Sequence, residues 1–296
     1  MTIKFLGSGS AFVRADENFH SNILITDTQE QEVLETSEHT TLNTGEKKSI
    51  TKHLLIDAGT HINESLYFHG LEATDIHAIF ITHNHADHNG GLEYIGFKTY
   101  FIPPFGSKKP VLFGMTSVLD TLWNHTLKGN MESLNGKRVG LQEYFEVLSI
   151  KPKQSFNFMN TQFIPVRMTH VVDDIMEVPA YGLKWTADNV KFFFSGDTQF
   201  DFWRLMPFWE EADIIFQDCE MAEYPDGVHA QFHQLIKIPE KYKRKMWLYH
   251  YSLQDKTYQE LEAKVLEAGF AGLVKRSQEF DSKDLYNQLK NNKQNN

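Results

Sequence analysis

Apolar residues along this chain come in short runs divided by turn residues. Met1–Phe5 and Ser21–Ile25 have the length and composition of strands, with Gly7-Ser8-Gly9 turn chemistry between them. From Thr26 to Thr51 the chain is polar, rich in Thr, Glu and Lys, and without usable periodicity, so it reads as an inserted surface loop or hairpin. The strand pattern resumes at His53–Asp57 and stops at Ala58-Gly59; Ile62–Phe68 then predicts a short helix closed by Gly70. Ile76–Ile81 is almost continuously apolar, as in a strand covered on both faces.

Farther on, Val111–Phe113 predicts a strand. Val118, Leu119, Leu122 and Trp123 then share one face of a helix over Thr116–Leu127. Strands are expected at Phe145–Ile150 and Thr161–Met168. A hairpin joins Ala180–Thr186 to Val190–Phe194 through Ala187-Asp188-Asn189, and further strands lie at Asp213–Cys219 and Met246–His250. Tyr258–Leu266 predicts a helix ended near Gly269, and the residues from Lys290 to Asn296 are polar and frayed. Many strands, few long helices and no internal repeat or linker predict an α/β chain. The expected form is a two-sheet sandwich flanked by helices: one domain over residues 1–280, a polar insertion at 26–52 and a polar tail at 281–296.

Composition narrows the setting. With 296 residues and 41% hydrophobic content the chain can bury a sizeable core. No run reaches the roughly 18 apolar residues of a membrane helix, and the amino terminus does not read as a signal peptide. The single cysteine, Cys219, excludes internal disulfides and fits a reducing, cytoplasmic setting, where it reads as a small buried hydrophobe. A formal charge of −10 argues against a long nucleic-acid partner but leaves room for a small phosphorylated ligand.

The chemistry is concentrated at Thr82-His83-Asn84-His85-Ala86-Asp87-His88, directly after the buried strand. Imidazole and carboxylate suit zinc and other first-row metals, and a tight turn can send His83 and His85 to one side and Asp87 and His88 to the other. Three single residues follow apolar runs in the same way: His170, Asp197 in Ser195-Gly196-Asp197, and His250. Any one of these histidines alone would more often be a satisfied core or surface residue.

Seven such residues in this order resemble the metallo-β-lactamase superfamily, from Leu6-Gly7-Ser8-Gly9-Ser10 through His250. The resemblance implies an αββα sandwich and two metal ions, zinc or alternatively manganese. It places His83, His85 and His170 on one ion, Asp87, His88 and His250 on the other, and Asp197 between them. Within the superfamily, Leu54-Leu55-Ile56-Asp57-Ala58-Gly59, Phe194-Ser195-Gly196-Asp197-Thr198 and Ala212–Glu220 followed by Gly227-Val228-His229-Ala230 resemble the ribonuclease Z branch. That likeness implies that His229, oriented by Asp218, protonates the leaving oxygen. Asp87, Asp218 and His229 are therefore the candidate catalytic residues, and Asp57 is expected to support the ligands rather than bind metal.

Two departures point away from tRNA: Tyr251-Ser252 follows His250 in place of an arginine-tyrosine pair, and no glycine-proline-rich arm is present. Asp226–Ala230 and Lys245–Tyr251 look more like bacterial and phage relatives, among them the anti-Pycsar phosphodiesterases, which open cyclic nucleotides. The expected activity is hydrolysis of a small, cyclic nucleotide or of an RNA phosphodiester; the alternative is thioester or lactone hydrolysis on the same metals. Relatives of this branch are often dimers, so a homodimer is expected. His233 reads as structural, and Thr60-His61 stays unassigned. The basic run Lys237, Lys241, Lys243, Arg244 and Lys245 reads either as a phosphate contact or as a solvated face. The aromatics Phe200, Phe202, Trp203, Phe208 and Trp209 read either as a base-stacking surface or as packing.

Overall fold

The computed structural model describes residues 1–37, 40–172, 177–222 and 227–294, with Asp226 of the Asp226–Ala230 motif outside them. The first half of the chain supplies β1 (Thr2–Phe5), β2 (Ile23–Ser37), β3 (Thr40–Ile56), β4 (Ala78–Ile81) and β5 (Val111–Met115). A small hairpin, β6 (Ser133–Leu134) and β7 (Lys137–Arg138), precedes β8 (Glu146–Ile150). The second half supplies β9 (Phe156–Phe158), β10 (Thr161–Val172), β11 (Glu177–Ala187), β12 (Val190–Phe194), β13 (Ile214–Asp218), β14 (Met246–Tyr249), β15 (Gly272–Leu273) and β16 (Glu279–Asp281). One seven-stranded sheet runs β16-β1-β2-β3-β4-β5-β8 and the other β15-β14-β13-β12-β11-β10-β9.

The alternation of side chains across each strand builds two cores. Phe192, Phe194 and Phe216 face the inter-sheet space, where Phe216 meets Phe5 of the first sheet with ring centroids 5.0 Å apart. Phe193 and Ile215 face outward instead, onto Leu205, Trp209, Leu235, Tyr242, Leu261 and Val265 of the covering helices. Strands buried on both faces in this way read as unbroken apolar runs, which is why β4, Ala78–Ile81, is buried at every position. Helices Ile62–Phe68 and Leu92–Tyr100 contribute Ile62, Leu66, Leu92 and Ile95 to the core on the first sheet's side.

The polar stretch 26–52 forms most of a long antiparallel hairpin, with β2 and β3 paired out to Ser37↔Thr40. The expected helix at Thr116–Leu127 continues to Met131 and changes pitch, with a π-helical stretch over Leu122–Leu127. Leu122 and Leu127 are both buried and five residues apart, a spacing that a wider turn keeps on one face. Residues 281–296, expected as a polar tail, instead carry a helix over Ser282–Gln294. Its Leu285 and Leu289, four apart, pack against the inter-sheet core, two anchors too sparse to register in so polar a segment.

Parallel pairing of β3, β4 and β5 in one sheet and of β12, β13 and β14 in the other brings their carboxyl ends to common edges. Six of the seven candidate ligands lie just beyond such a strand end; His170 lies near the end of β10, in the antiparallel part of the second sheet.

Candidate metal centre

His83, His85, Asp87 and His88 sit on the turn after β4 and on the single helical turn Ala86–Asn89. His170 lies near the end of β10, where the pairing with β11 shifts between Thr169 and Val171. Asp197 follows β12 through Gly196, whose φ is +60° and where an added Cβ would stand 2.7 Å from the Tyr181 carbonyl oxygen. His250 follows β14 with φ at 64°, a left-handed conformation that a histidine adopts only when its surroundings hold it there.

These turns bring the seven side chains together as two groups sharing one carboxylate. The first is His83, His85, His170 and Asp197; the second is Asp87, His88, Asp197 and His250, and within each group the ligand atoms lie within 4.8 Å of one another. His85 Nδ1 stands 3.0 Å from His83 Nε2 and 3.1 Å from His170 Nε2. Asp197 Oδ2 is 3.1 Å from His88 Nε2, 3.4 Å from His250 Nε2, 3.7 Å from His83 Nε2 and 3.8 Å from His170 Nε2. Asp87 Oδ2 lies 3.1 Å from His88 Nε2 and 3.3 Å from His250 Nε2.

The outer nitrogens of His83, His88 and His170 are held as metal-binding histidines usually are. His170 Nδ1 donates to the Val228 carbonyl at 2.8 Å, which directs its Nε2 lone pair inward. His88 Nδ1 meets Asp57 Oδ2 at 2.8 Å, and His83 Nδ1 lies 3.0 Å from Thr82 Oγ1. Asp57 also accepts from the Thr82 amide and hydroxyl, both at 2.8 Å, so it supports the ligands from behind as expected. Gln199 ties the same rim together: its amide donates to the Thr169 carbonyl and its side chain to the His170 carbonyl, each at 2.7 Å. Thr82 and Gln199 carry no sequence signal of their own beyond standing next to a ligand.

Electrostatics support a cation here. Burial, with His88 close by, pushes His83 well below the ordinary imidazole range; burial and neighbouring histidines lower His85, and burial lowers His170. All three are neutral, with lone pairs available. Burial opposes charge on His88 and His250 too, but the surrounding carboxylates outweigh it and raise both, Asp197 foremost. Asp197 itself is held well below the carboxylate range by His250 and His88, which overcome its burial. Asp197 Oδ1 is buried without a hydrogen-bond partner among the described residues. Buried polar atoms of this kind require a partner, and a donor set of imidazoles and carboxylates fits divalent first-row cations.

Beside these groups stands a third juxtaposition, Asp197, Asp218, His229 and His250. His229 Nδ1 is 2.9 Å from Asp218 Oδ2 and 4.0 Å from Asp197 Oδ2, so its partner is Asp218. The Thr198 amide donates to the same Asp218 oxygen at 2.8 Å, and His250 Nδ1 lies 3.4 Å from the other. Burial alone would lower His229, but the Asp218 carboxylate prevails and holds it above its ordinary value.

A family model described as anti-Pycsar protein Apyc1 matches residues 46–280. This chain belongs to the anti-Pycsar Apyc1 family. One relative, the anti-Pycsar protein Apyc1 of Paenibacillus harenae, is 32% identical over 257 residues, covering 85% of this chain and 90% of its own. Among solved structures, the metallo-β-lactamase fold protein YhfI from Bacillus subtilis superposes with a TM-score of 0.65 at 15% identity, covering 95% of this chain and 99% of its own. The short form of human tRNase Z does so at 0.58 and 15%, over 95% of this chain and 99% of its own. The fold is therefore that of the metallo-β-lactamases, and within it the clustered His and Asp side chains form groups suited to binding metal ions.

Proposed function

We propose that this protein is a dinuclear metal-dependent phosphodiesterase that opens a small cyclic nucleotide. Zinc fits the donor set best, with manganese as the alternative. The observation that carries the reading is the pairing of half-buried His229 with fully buried Asp218 beside the two ligand groups. Cleavage of a phosphodiester expels an alkoxide, which needs a proton as it leaves. With Nδ1 held by Asp218, the proton to be donated sits on His229 Nε2, and the carboxylate both fixes that tautomer and favours the charged ring. Hydrolysis of a thioester, whose thiolate is a much better leaving group than an alkoxide, would have less need of this acid. His83, His85 and His170 would hold one ion, Asp87, His88 and His250 the other, with Asp197 between them. Ions bound there would generate a nucleophile from water at neutral pH and neutralise charge building on the phosphoryl oxygens.

The test is hydrolysis of bis-p-nitrophenyl phosphate and a panel of cyclic nucleotides by zinc- or manganese-loaded protein, with His229→Ala alongside. The substitution is expected to lower kcat by about 10²- to 10⁴-fold on the cyclic nucleotides. Full activity of the variant would remove His229 as the acid, and silence of the loaded protein on every phosphodiester would turn the assignment toward acyl substrates.

A further inference from the structure

Asp218 offers two carboxylate oxygens to three nitrogens. The Thr198 amide and His229 Nδ1 both stand at Oδ2, at 2.8 and 2.9 Å, which leaves Oδ1. That oxygen faces His250 Nδ1 at 3.4 Å. Both atoms are buried, and neither has a closer hydrogen-bond partner among the described residues. A buried donor and a buried acceptor so placed satisfy each other; the alternative is two orphaned polar groups.

The tautomer of His250 decides which of the two donates. Its Nε2 points into the centre, 3.3 Å from Asp87 Oδ2 and 3.4 Å from Asp197 Oδ2. A neutral ring that offers its Nε2 lone pair to a cation carries its hydrogen on Nδ1, so Nδ1 donates and Asp218 Oδ1 accepts. Ligating histidines usually have a carboxylate or a carbonyl on the outer nitrogen. Val228 fills that place for His170 and Asp57 for His88; for His250 the group in that place is Asp218.

Asp218 is in turn fixed from the turn that carries Asp197. Ser195 Oγ accepts from the Asp218 amide at 2.8 Å and donates to the Gly196 carbonyl at 2.6 Å. With the Thr198 amide on the carboxylate, residues on both sides of Asp197 hold the two ends of Asp218. The side chain is fully buried and cannot swing out to solvent.

On the reading that His229 is the acid, we propose that Asp218 is a positioning residue for both halves of the site: one oxygen orients the proton donor, and the other orients His250 as a ligand of the second ion. Ser195 and Thr198 keep that carboxylate in place. The arrangement also dictates what an amide would do there. In Asp218→Asn the amide oxygen stays with Thr198, a backbone donor that cannot turn away, and still accepts from His229. The NH₂ then meets the His250 N–H donor to donor.

The experiment measures zinc affinity by competition with a chromophoric chelator, for the unsubstituted full-length protein, Asp218→Asn and His229→Ala. Asp218→Asn is expected to bind at least one of its two ions about 10- to 100-fold more weakly, while His229→Ala holds both as tightly as the unsubstituted protein. Unchanged affinity in Asp218→Asn overturns the proposal. So does an equal loss in the two variants, which would place the effect on His229 instead. Should Asp218→Asn fail to fold, histidine-ring NMR of the zinc-loaded unsubstituted protein decides. A slowly exchanging, downfield Nδ1–H on His250 supports the bond to Asp218, and a His250 ring without that proton overturns it. Neither measurement involves turnover. Full phosphodiester hydrolysis by His229→Ala would therefore sink the reading of His229 as acid, while the link from Asp218 to His250 is judged by zinc alone.

Discussion

Asp57 shows how much of the site is carried by a residue that touches no candidate ligand atom facing the centre. Its φ is 62°, and both carboxylate oxygens are spent on Thr82 and His88. Asparagine tolerates the left-handed backbone, so Asp57→Asn keeps the turn while removing the charge behind His88. Support of this type is worth about 10- to 100-fold in metal affinity, and chelator competition on the variant should read a loss of that size. His20 is a second buried histidine with an identifiable cost. It stacks on His61 with ring centroids 3.8 Å apart, and burial followed by repulsion from His61 lowers its pKa to about 4. A histidine lowered on folding costs nothing above its unfolded value near 6.5. As the pH falls from there toward 4, the unfolded chain binds the proton first and stability declines. At pH 5 the deficit from His20 is about 2 kcal/mol, and His20→Gln should flatten that part of the pH dependence in urea unfolding. No pattern in the sequence sets His20 or Thr60-His61 apart, because their pairing depends on two loops brought together from positions about forty residues apart.

At the scale of elements, what could be read beforehand followed burial. Strands covered on both faces, such as β4, are unbroken apolar runs, and their ends mark the ligands. Helix Phe202–Glu211 was harder to see because its residues are aromatic and Pro207 lies within it, a residue that normally argues against helix. It starts where Asp201 Oδ1 accepts from the Arg204 amide at 3.1 Å, and it is pinned by Trp209. The indole is fully buried in the outer core and donates to Gln217 Oε1 at 3.1 Å, one residue before Asp218. Trp209→Ala should therefore cost about 3–5 kcal/mol in thermal or denaturant unfolding. Trp209→Phe should recover most of the packing but leave Gln217 Oε1 without its donor, a residual loss of about 1–3 kcal/mol. If alanine at this position costs less than about 1 kcal/mol, the outer core does not hold this helix in place.

For the whole molecule, the acidic balance and the absence of any helix among the described residues long and apolar enough to cross a membrane describe only part of the surface. Phe101 and Phe105 are 48% and 63% exposed, their rings 6.1 Å apart, beside a shallow groove lined by Tyr94, Phe97 and Ile102. A contiguous apolar patch with a polar rim is uncommon on a chain that works alone. We propose that it is the contact of a homodimer, an arrangement the hydrophobic pattern could not announce, since an exposed phenylalanine reads the same as a buried one in sequence. A two-fold contact is self-complementary, so a residue near the axis meets its own copy. Phe101→Asp with Phe105→Asp therefore sets carboxylates against carboxylates while removing apolar area from both partners at once. Light scattering across a dilution series should give twice the chain mass for the unsubstituted protein and the single mass for the double variant. A single mass throughout would remove the dimer, and an unsubstituted dimer that survives both aspartates would move the contact to another face.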